Sequence, residues 1–486
     1  MKILVANPPW RKGNKYGIRS GCRFPYLTDE LGREGVPLWI PFPFTPAQAS
    51  ALLKKNDFDA QFWDCIAEGE TLEGFIARVE KYKPDLYIQE VVTPSLPYDR
   101  EVFRKIREVL PGSFLVVAGS MVTSEGAALL EKVPFFDAGL TYEWEETALE
   151  LAERLSSGKS LNGMPGLIHR TGTGIITEKR RPAPDLNALP WSDRTSLPML
   201  RYNDDFAFLP VPNVQFYTSR GCPYRCIFCD WINTRYGDRT VRFRNPTDIA
   251  DEVEYCMKKW PFKAYYFDDD TFNLKKSHVL SLSEELRRKN INKPWAAMCR
   301  ADLFDAETLA ECRKSGLFAV KYGVESADKA ILKTIKKELS IEKCEENIIL
   351  TKQHGIKVHL TIVIGLPGET ESSIRKTWKF LKKVKPDYLQ FSIATPYPGT
   401  ELYALALDNK WIEAQDFSDF NADSQAAMKT NSLSRERIEE WVRKLNLWRI
   451  GMQFINNPID CIKLYSRKAI SSPKKIFNIA SNLLNR

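Results

Sequence analysis

Several things are missing from this chain. No apolar run approaches the roughly 20 residues of a membrane-spanning helix, which excludes a helical membrane span. Histidine occurs only as His169, His278, His354 and His359, none of them in the first 157 residues. That rules out a histidine-rich metal site at the amino-terminal end. Seven cysteines (Cys22, Cys65, Cys256, Cys299, Cys312, Cys344 and Cys461) are scattered without the spacing of a disulfide framework. They suit a reducing compartment and read as small buried apolar fillers. From Cys461 to Arg486 there is no acidic residue.

What is present begins with size. At 486 residues and 55.8 kDa, two or three domains are expected. A hydrophobic share of 43% and a charged share of 27% describe a globular chain. Met1 to Trp10 carries a short apolar run ended by Pro8-Pro9, so it reads as a first strand and not a signal peptide. The expected location is cytoplasmic. The net charge of +8 is uneven, and no nucleic-acid partner is expected. Six basic residues (Lys463, Arg467, Lys468, Lys474, Lys475 and Arg486) alternate with Ile462, Leu464, Tyr465, Ile470, Ile476, Phe477, Ile479, Leu483 and Leu484. Two readings stay open for this segment: peripheral contact with an anionic membrane on its inner face, or a solvated helix packed on the body of the protein.

Residues 1–157 alternate short apolar strands with helical segments, the pattern of a doubly wound parallel α/β sheet. Strands are expected at Ile3 to Ala6, Ala60 to Trp63, Leu86 to Glu90, Phe114 to Ala118 and Phe136 to Leu140. Helices are expected at Ala47 to Lys55, Leu72 to Tyr82, Tyr98 to Leu110, Ser124 to Lys132 and Glu145 to Leu155. Ligands of such sheets sit beyond the carboxyl ends of the strands. Those ends hold Asn7, Thr93, Gly119, Ser120 and Glu143, which makes these the candidate contacts. Residues 158–213 are rich in Gly and Pro and read as a linker with a small hairpin around Gly166 to Thr177. Residues 214–402 again alternate, with six strands that predict a partial (β/α)6 barrel whose active groups lie at the carboxyl ends. Residues 403–486 read as a helical, basic, amphipathic extension.

The segment Ser219 to Trp231 places Cys222, Cys226 and Cys229 within eight residues. Structural zinc takes four closed ligands, usually in two pairs, and no second pair follows at finger spacing. Three thiolates suit an iron-sulfur cubane with one iron left open. The spacing resembles the signature of the radical S-adenosylmethionine (SAM) enzymes. The resemblance implies that the open iron is chelated by the amino and carboxylate groups of SAM. It also implies that reductive cleavage yields a 5'-deoxyadenosyl radical.

A flavodoxin-like sheet ahead of such a barrel resembles the cobalamin-binding domain of one large subclass, and this covers nearly the whole chain. The departure is the Asp-x-His-x-x-Gly loop, which is absent. Cobalamin is therefore expected without a histidine axial ligand from its own domain, as in the members that resemble this chain.

The strand ends of the second domain carry further polar clusters. Phe228 and Trp231 are candidates to pack near the adenine, with core packing the alternative for Trp231. In Asp268-Asp269-Asp270, the resemblance makes Asp269 or Asp270 the partner of the SAM ammonium, while a divalent-metal site is the other reading. Arg300 is the candidate partner of the cofactor carboxylate, against an ordinary salt bridge. Glu325 and Ser326 are assigned to the ribose or the methionine end, and Gly365, in Gly365-Leu366-Pro367-Gly368-Glu369, to close approach of the adenine. The resemblance makes Thr395 to Leu402 the close of the barrel, a structural segment with Tyr397 expected toward its mouth.

The expected function is methylation of an unactivated carbon by a cobalamin-dependent radical SAM enzyme. The expected substrate is a lipid, lipid-linked or secondary-metabolite molecule, and the electron donor a flavodoxin or ferredoxin. Ring formation or oxidative rearrangement without net methyl transfer is the alternative. A non-catalytic iron-sulfur and corrin binding protein would show no SAM cleavage. A methylthiotransferase needs another cysteine trio at the amino-terminal end, where only Cys22 and Cys65 occur.

Overall fold

Two parallel sheets organise the molecule, seen in a computed structural model that describes residues 1–19, 25–29, 31, 35–204, 208–422 and 425–471. Cys22 and the tail from residue 472 lie outside the described residues. The first sheet contains β1 (Lys2–Asn7), β2 (Asp59–Asp64), β3 (Leu86–Glu90), β4 (Phe114–Ala118) and β5 (Ala138–Leu140). These five are parallel in the order β2-β1-β3-β4-β5, the flavodoxin-like arrangement. Ile3, Leu4, Val5 and Ala6 are all fully buried. A parallel strand needs apolar residues on both faces because helices cover both.

Those covering helices include α1 (Phe44–Lys55), α2 (Leu72–Tyr82), α3 (Leu96–Val109) and α4 (Glu145–Ser157). Thr71 caps α2 by accepting the Gly74 N–H at 3.1 Å. The helix expected over Ser124 to Lys132 is two short ones, Ser120–Glu125 and Ala127–Lys132, parted at Gly126 with φ of 60°.

The hairpin of the Gly- and Pro-rich segment does not hang in a linker. Its strands β6 (Leu167–Thr171) and β7 (Gly174–Thr177) join the first sheet antiparallel beside β5 and extend it to seven strands. His169 therefore belongs to this sheet, a correction to the 157-residue boundary. It pairs in register with Ala138 at the start of β5, away from the carboxyl edge.

The second sheet runs β8 (Asn213–Phe216), β9 (Ala264–Phe267), β10 (Trp295–Cys299), β11 (Leu317–Glu325), β12 (Lys357–Ile364) and β13 (Tyr388–Ile393), all parallel and in sequence order. Helices Pro246–Lys259, Lys276–Arg288, Ala306–Lys314, Ile341–Gln353 and α5 (Glu371–Val384) connect the strands on the outer side. Along β12, Val358, Leu360, Ile362 and Ile364 are buried in the main core, whereas Thr361 and Val363 are half-buried. The same alternation leaves Gln390 and Ser392 half-buried on β13 and Gly323 on β11. In register Gly323 adjoins Thr361, Thr361 adjoins Gln390, and Val363 adjoins Ser392. A contiguous inward face that keeps solvent access inside a buried sheet is the wall of a lumen.

The carboxyl-terminal region packs α6 (Arg435–Asn456) along β12 and β13, followed by α7 (Pro458–Ser471). Trp441 is buried, edge-on to Trp378 of α5, and Trp448 also lies against Trp378. Both rings pack inside the fold. The described surface of the junction carries Ile455, Ile459 and Ile462, at 82%, 67% and 61% exposure. Among the described residues, no helix is long and apolar enough to cross a membrane.

Candidate active site

The cysteine loop leaves a two-residue strand, Ser219–Arg220, paired with Arg242–Phe243. Cys222, Cys226 and Cys229 are each half-buried, and the other six described cysteines are buried. Burial raises all three loop thiols above their ordinary range, and neighbouring cysteines add to this at Cys229. Thiols give up their protons on binding a metal, so a cluster on this loop would be held by three thiolates. Among the described residues, the group with ligand atoms close enough for a single ion is Cys65, Glu68 and Glu70. There Arg78 already pairs with both glutamates, at 2.5 and 3.1 Å, and occupies their oxygens.

The aspartates after β9 hold the loop. Asp269 Oδ1 accepts Thr218 N–H at 3.0 Å, Thr218 Oγ1 at 2.9 Å and Ser219 Oγ at 2.6 Å, as well as the Ser219 N–H. Burial pushes its carboxyl up to about 7, against these hydrogen bonds. Asp270 Oδ2 accepts the Gly221 N–H at 2.9 Å. Gly221 has φ of +100°, and a Cβ there would meet Thr240 O at 2.2 Å. Only glycine fits that turn.

Several candidates point elsewhere than the sequence suggests. Arg300 lies 3.6 Å over the Tyr224 ring, pairs with Asp302 at 2.8 Å and donates to the carbonyls of Lys337 and Glu338. It braces the cysteine loop from the side. Ser326 is fully buried and faces Thr377 of α5, in the outer layer, not the lumen. Glu325 stays at the barrel mouth with φ of 67°, paired with Lys337 Nζ at 2.9 Å. Gly365 has φ of +88°, and the space a Cβ would take is occupied by Ile438 of α6, 3.0 Å away. Phe228 is half-buried against the main core.

On the first sheet, Thr93, Gly119 and Ser120 form a ledge of small residues at the carboxyl edge. They line an open cleft whose opposite wall is Asp230, Trp231 and Tyr397. The Arg235 guanidinium lies 4.5 Å from the Trp231 ring. Gly119 has φ of +103°, and a Cβ would lie 2.8 Å from Glu90 Cγ. Asn7 sits one layer below, donating to Asp64 at 2.8 Å and accepting from Arg19 at 3.1 Å. Glu143 is not in the cavity: both its oxygens are held by Arg220 and Arg242, at 2.8 and 2.5 Å.

Lys337, Tyr224, Gln390 and Arg235 are site residues that sequence reasoning missed. Gln390 and Thr361 were findable as polar breaks on the inward face of apolar strands. Lys337 lies in a turn with no motif of its own.

Residues 216–398 match the Radical SAM superfamily, and over that span lie the strand-bordered lumen, the three-thiol loop at its mouth and the turn fixed by glycine. That domain implies a [4Fe-4S] cluster and SAM. The whole chain has the fold of the cobalamin-dependent radical SAM enzymes. It is similar to the solved cobalamin- and SAM-bound radical enzyme OxsB, with a TM-score of 0.73 at 15% identity over 100% of this chain and 75% of that one. An uncharacterized methyltransferase of Pyrococcus horikoshii is 28% identical over 91% of each chain. The anaerobic magnesium-protoporphyrin IX monomethyl ester cyclase of Rubrivivax gelatinosus is 25% identical over 87% of this chain and 72% of its own.

Proposed function

We propose that this enzyme methylates an unactivated carbon, using SAM at a cluster on Cys222, Cys226 and Cys229 and a cobalamin on the ledge of Thr93, Gly119 and Ser120. One observation carries the reading: the ledge and the segment that follows Cys229 face each other across a single cavity. The ledge fits a large flat ring because its residues are small and Gly119 keeps the backbone exposed to close approach. No histidine of the first sheet reaches that edge, since His169 lies at the other end of β5. When bound, the cluster and SAM supply one-electron chemistry and the corrin supplies a methyl group. The protein's own part is to hold the loop through Asp269 and Asp270, to present Glu325, Thr361 and Gln390 along the lumen, and to exclude water between the two domains.

A small-molecule substrate enters that cavity, and a lipid or lipid-linked molecule is favoured by the exposed isoleucines of the α6–α7 junction and by the basic, apolar-interleaved sequence that follows them in the chain. A flavodoxin or ferredoxin supplies the electron. Removal of residues after Pro458 is expected to lower co-sedimentation with anionic liposomes, and equal binding removes the membrane argument. The cyclase relative supports a second reading, ring formation without net methyl transfer.

The test is anaerobic protein prepared with hydroxocobalamin. About one corrin per chain beside iron-sulfur absorption is expected, and S-adenosylhomocysteine should form together with 5'-deoxyadenosine on turnover. Deoxyadenosine alone, with a cyclised product, selects the second reading. Cluster without corrin overturns both.

A further inference from the structure

Arg220 stands two residues before the first cysteine of the loop, yet its side chain leaves the barrel. The guanidinium is 3% exposed and gives Nη1 to Glu143 Oε1 at 2.8 Å. Nη2 donates to Glu145 Oε1 at 2.8 Å and to Gln48 Oε1 at 2.6 Å. All three acceptors belong to the first domain. Glu143 follows β5, Glu145 opens α4, and Gln48 lies in α1. Arg242, the register partner of Arg220, holds the other oxygen of Glu143 at 2.5 Å.

The two ends of this network have little slack. Tyr142 and Trp144, either side of Glu143, line the interdomain cavity. A Cβ on Gly237 would lie 2.5 Å from the Tyr142 ring, so that ring rests on the backbone that follows the cysteine loop. On the other side Gly221 is pinned between Thr240 O and Asp270. Buried Arg220 and half-buried Arg242 balance the charge of the two buried glutamates, Glu143 and Glu145. Apolar residues of the same volume would serve stability about as well, and what buried ion pairs can add is a single register.

We propose that Arg220 and Glu143 are positioning residues: a clamp that fixes the cysteine loop against the carboxyl edge of the first sheet and so sets the separation of cluster and corrin. This rests on the two-cofactor reading above. Glu143→Gln keeps the shape and removes the charge. In that variant, at wild-type iron and sulfide content, amide hydrogen exchange of segments 141–145 and 219–229 is expected to rise together by at least about tenfold. With hydroxocobalamin bound and reduced to the Co(II) state, the relaxation enhancement of its electron paramagnetic signal by the reduced cluster is expected to fall at least about twofold, since a looser clamp spreads the distance.

Faster exchange confined to 141–145, with unchanged relaxation, overturns the proposal. Should Glu143→Gln fail to fold, Arg242→Gln, which removes only one partner of Glu143, carries the same comparison: a coupled rise supports the clamp and a one-sided rise overturns it. Wild-type protein that takes up no hydroxocobalamin sinks the two-cofactor reading alone, and the exchange measurement still decides whether the clamp joins the domains.

Discussion

The two carboxyl edges that face each other are built on opposite plans. At the barrel edge, charged side chains are spent on the loop itself: Asp269 and Asp270 take its backbone N–H groups, and Arg300 stacks on Tyr224. At the edge of the first sheet, most of the charge is sunk one layer down, in Asn7–Asp64–Tyr202 and Arg19–Asp99–Gln89, and the small residues Thr93, Gly119 and Ser120 form a ledge on top, flanked by Glu90, Tyr142 and Trp144. One edge is a rigid mount and the other a shelf. A preorganised site needs the first; a large flat ligand needs the second.

The contrast can be broken from either side. Replacing Cys222, Cys226 or Cys229 by Ala removes a thiolate the cluster needs, and SAM cleavage should fall to background with loss of the absorption near about 400 nm. Asp269→Ala leaves buried donors of Thr218 and Ser219 unpaired. It should cost at least about 3 kcal/mol in urea unfolding and lower iron content with it. If stability drops while iron content holds, the loop does not depend on its mount. Gly119→Val adds bulk at a positive φ on the shelf, and retention of hydroxocobalamin should weaken about tenfold, about 1.4 kcal/mol, with the cluster untouched. Loss of both cofactors together would show that shelf and mount are not independent.

A pH-dependent effect concerns Glu369, whose carboxyl is fully buried and raised by that burial to about 8, while accepting the Gly365 N–H at 2.6 Å. The folded chain binds this proton more tightly than the unfolded chain. Its contribution is therefore complete below the unfolded value of 4.5 and is lost as pH rises toward about 8. The slope is at most about 1.4 kcal/mol per pH unit. Glu369→Gln should flatten that slope and raise the melting temperature at pH 8 relative to the wild type; an unchanged profile assigns the slope to other groups.

Much of the fold was legible because local periodicity and burial agree. Leu72–Tyr82, Leu86–Glu90 and Phe114–Ala118 fall where the pattern puts them, and the six strands expected in residues 214–402 are present. The hairpin Leu167–Thr177 was visible as a hairpin, but its place in the sheet depends on pairing with Ala138–Leu140, which no local pattern carries. The site divides the same way. The cysteine spacing was readable by itself, whereas the directions of Arg300, Ser326 and Glu143 are set by Lys337, Thr377 and Arg220, partners far off in sequence. Gly365 was read as room for a ring, and the residue that fills the room is Ile438.

That last contact has a consequence for biogenesis. Helix Arg435–Asn456 seals the barrel by seating Ile438 on Gly365, and it is made about 200 residues after Cys229. At roughly 5–20 residues per second, the cysteine loop waits about 10–40 s on the ribosome before its own wall is complete. Throughout that interval the newborn chain carries its cysteine loop beside a barrel that lacks the Ile438–Gly365 contact.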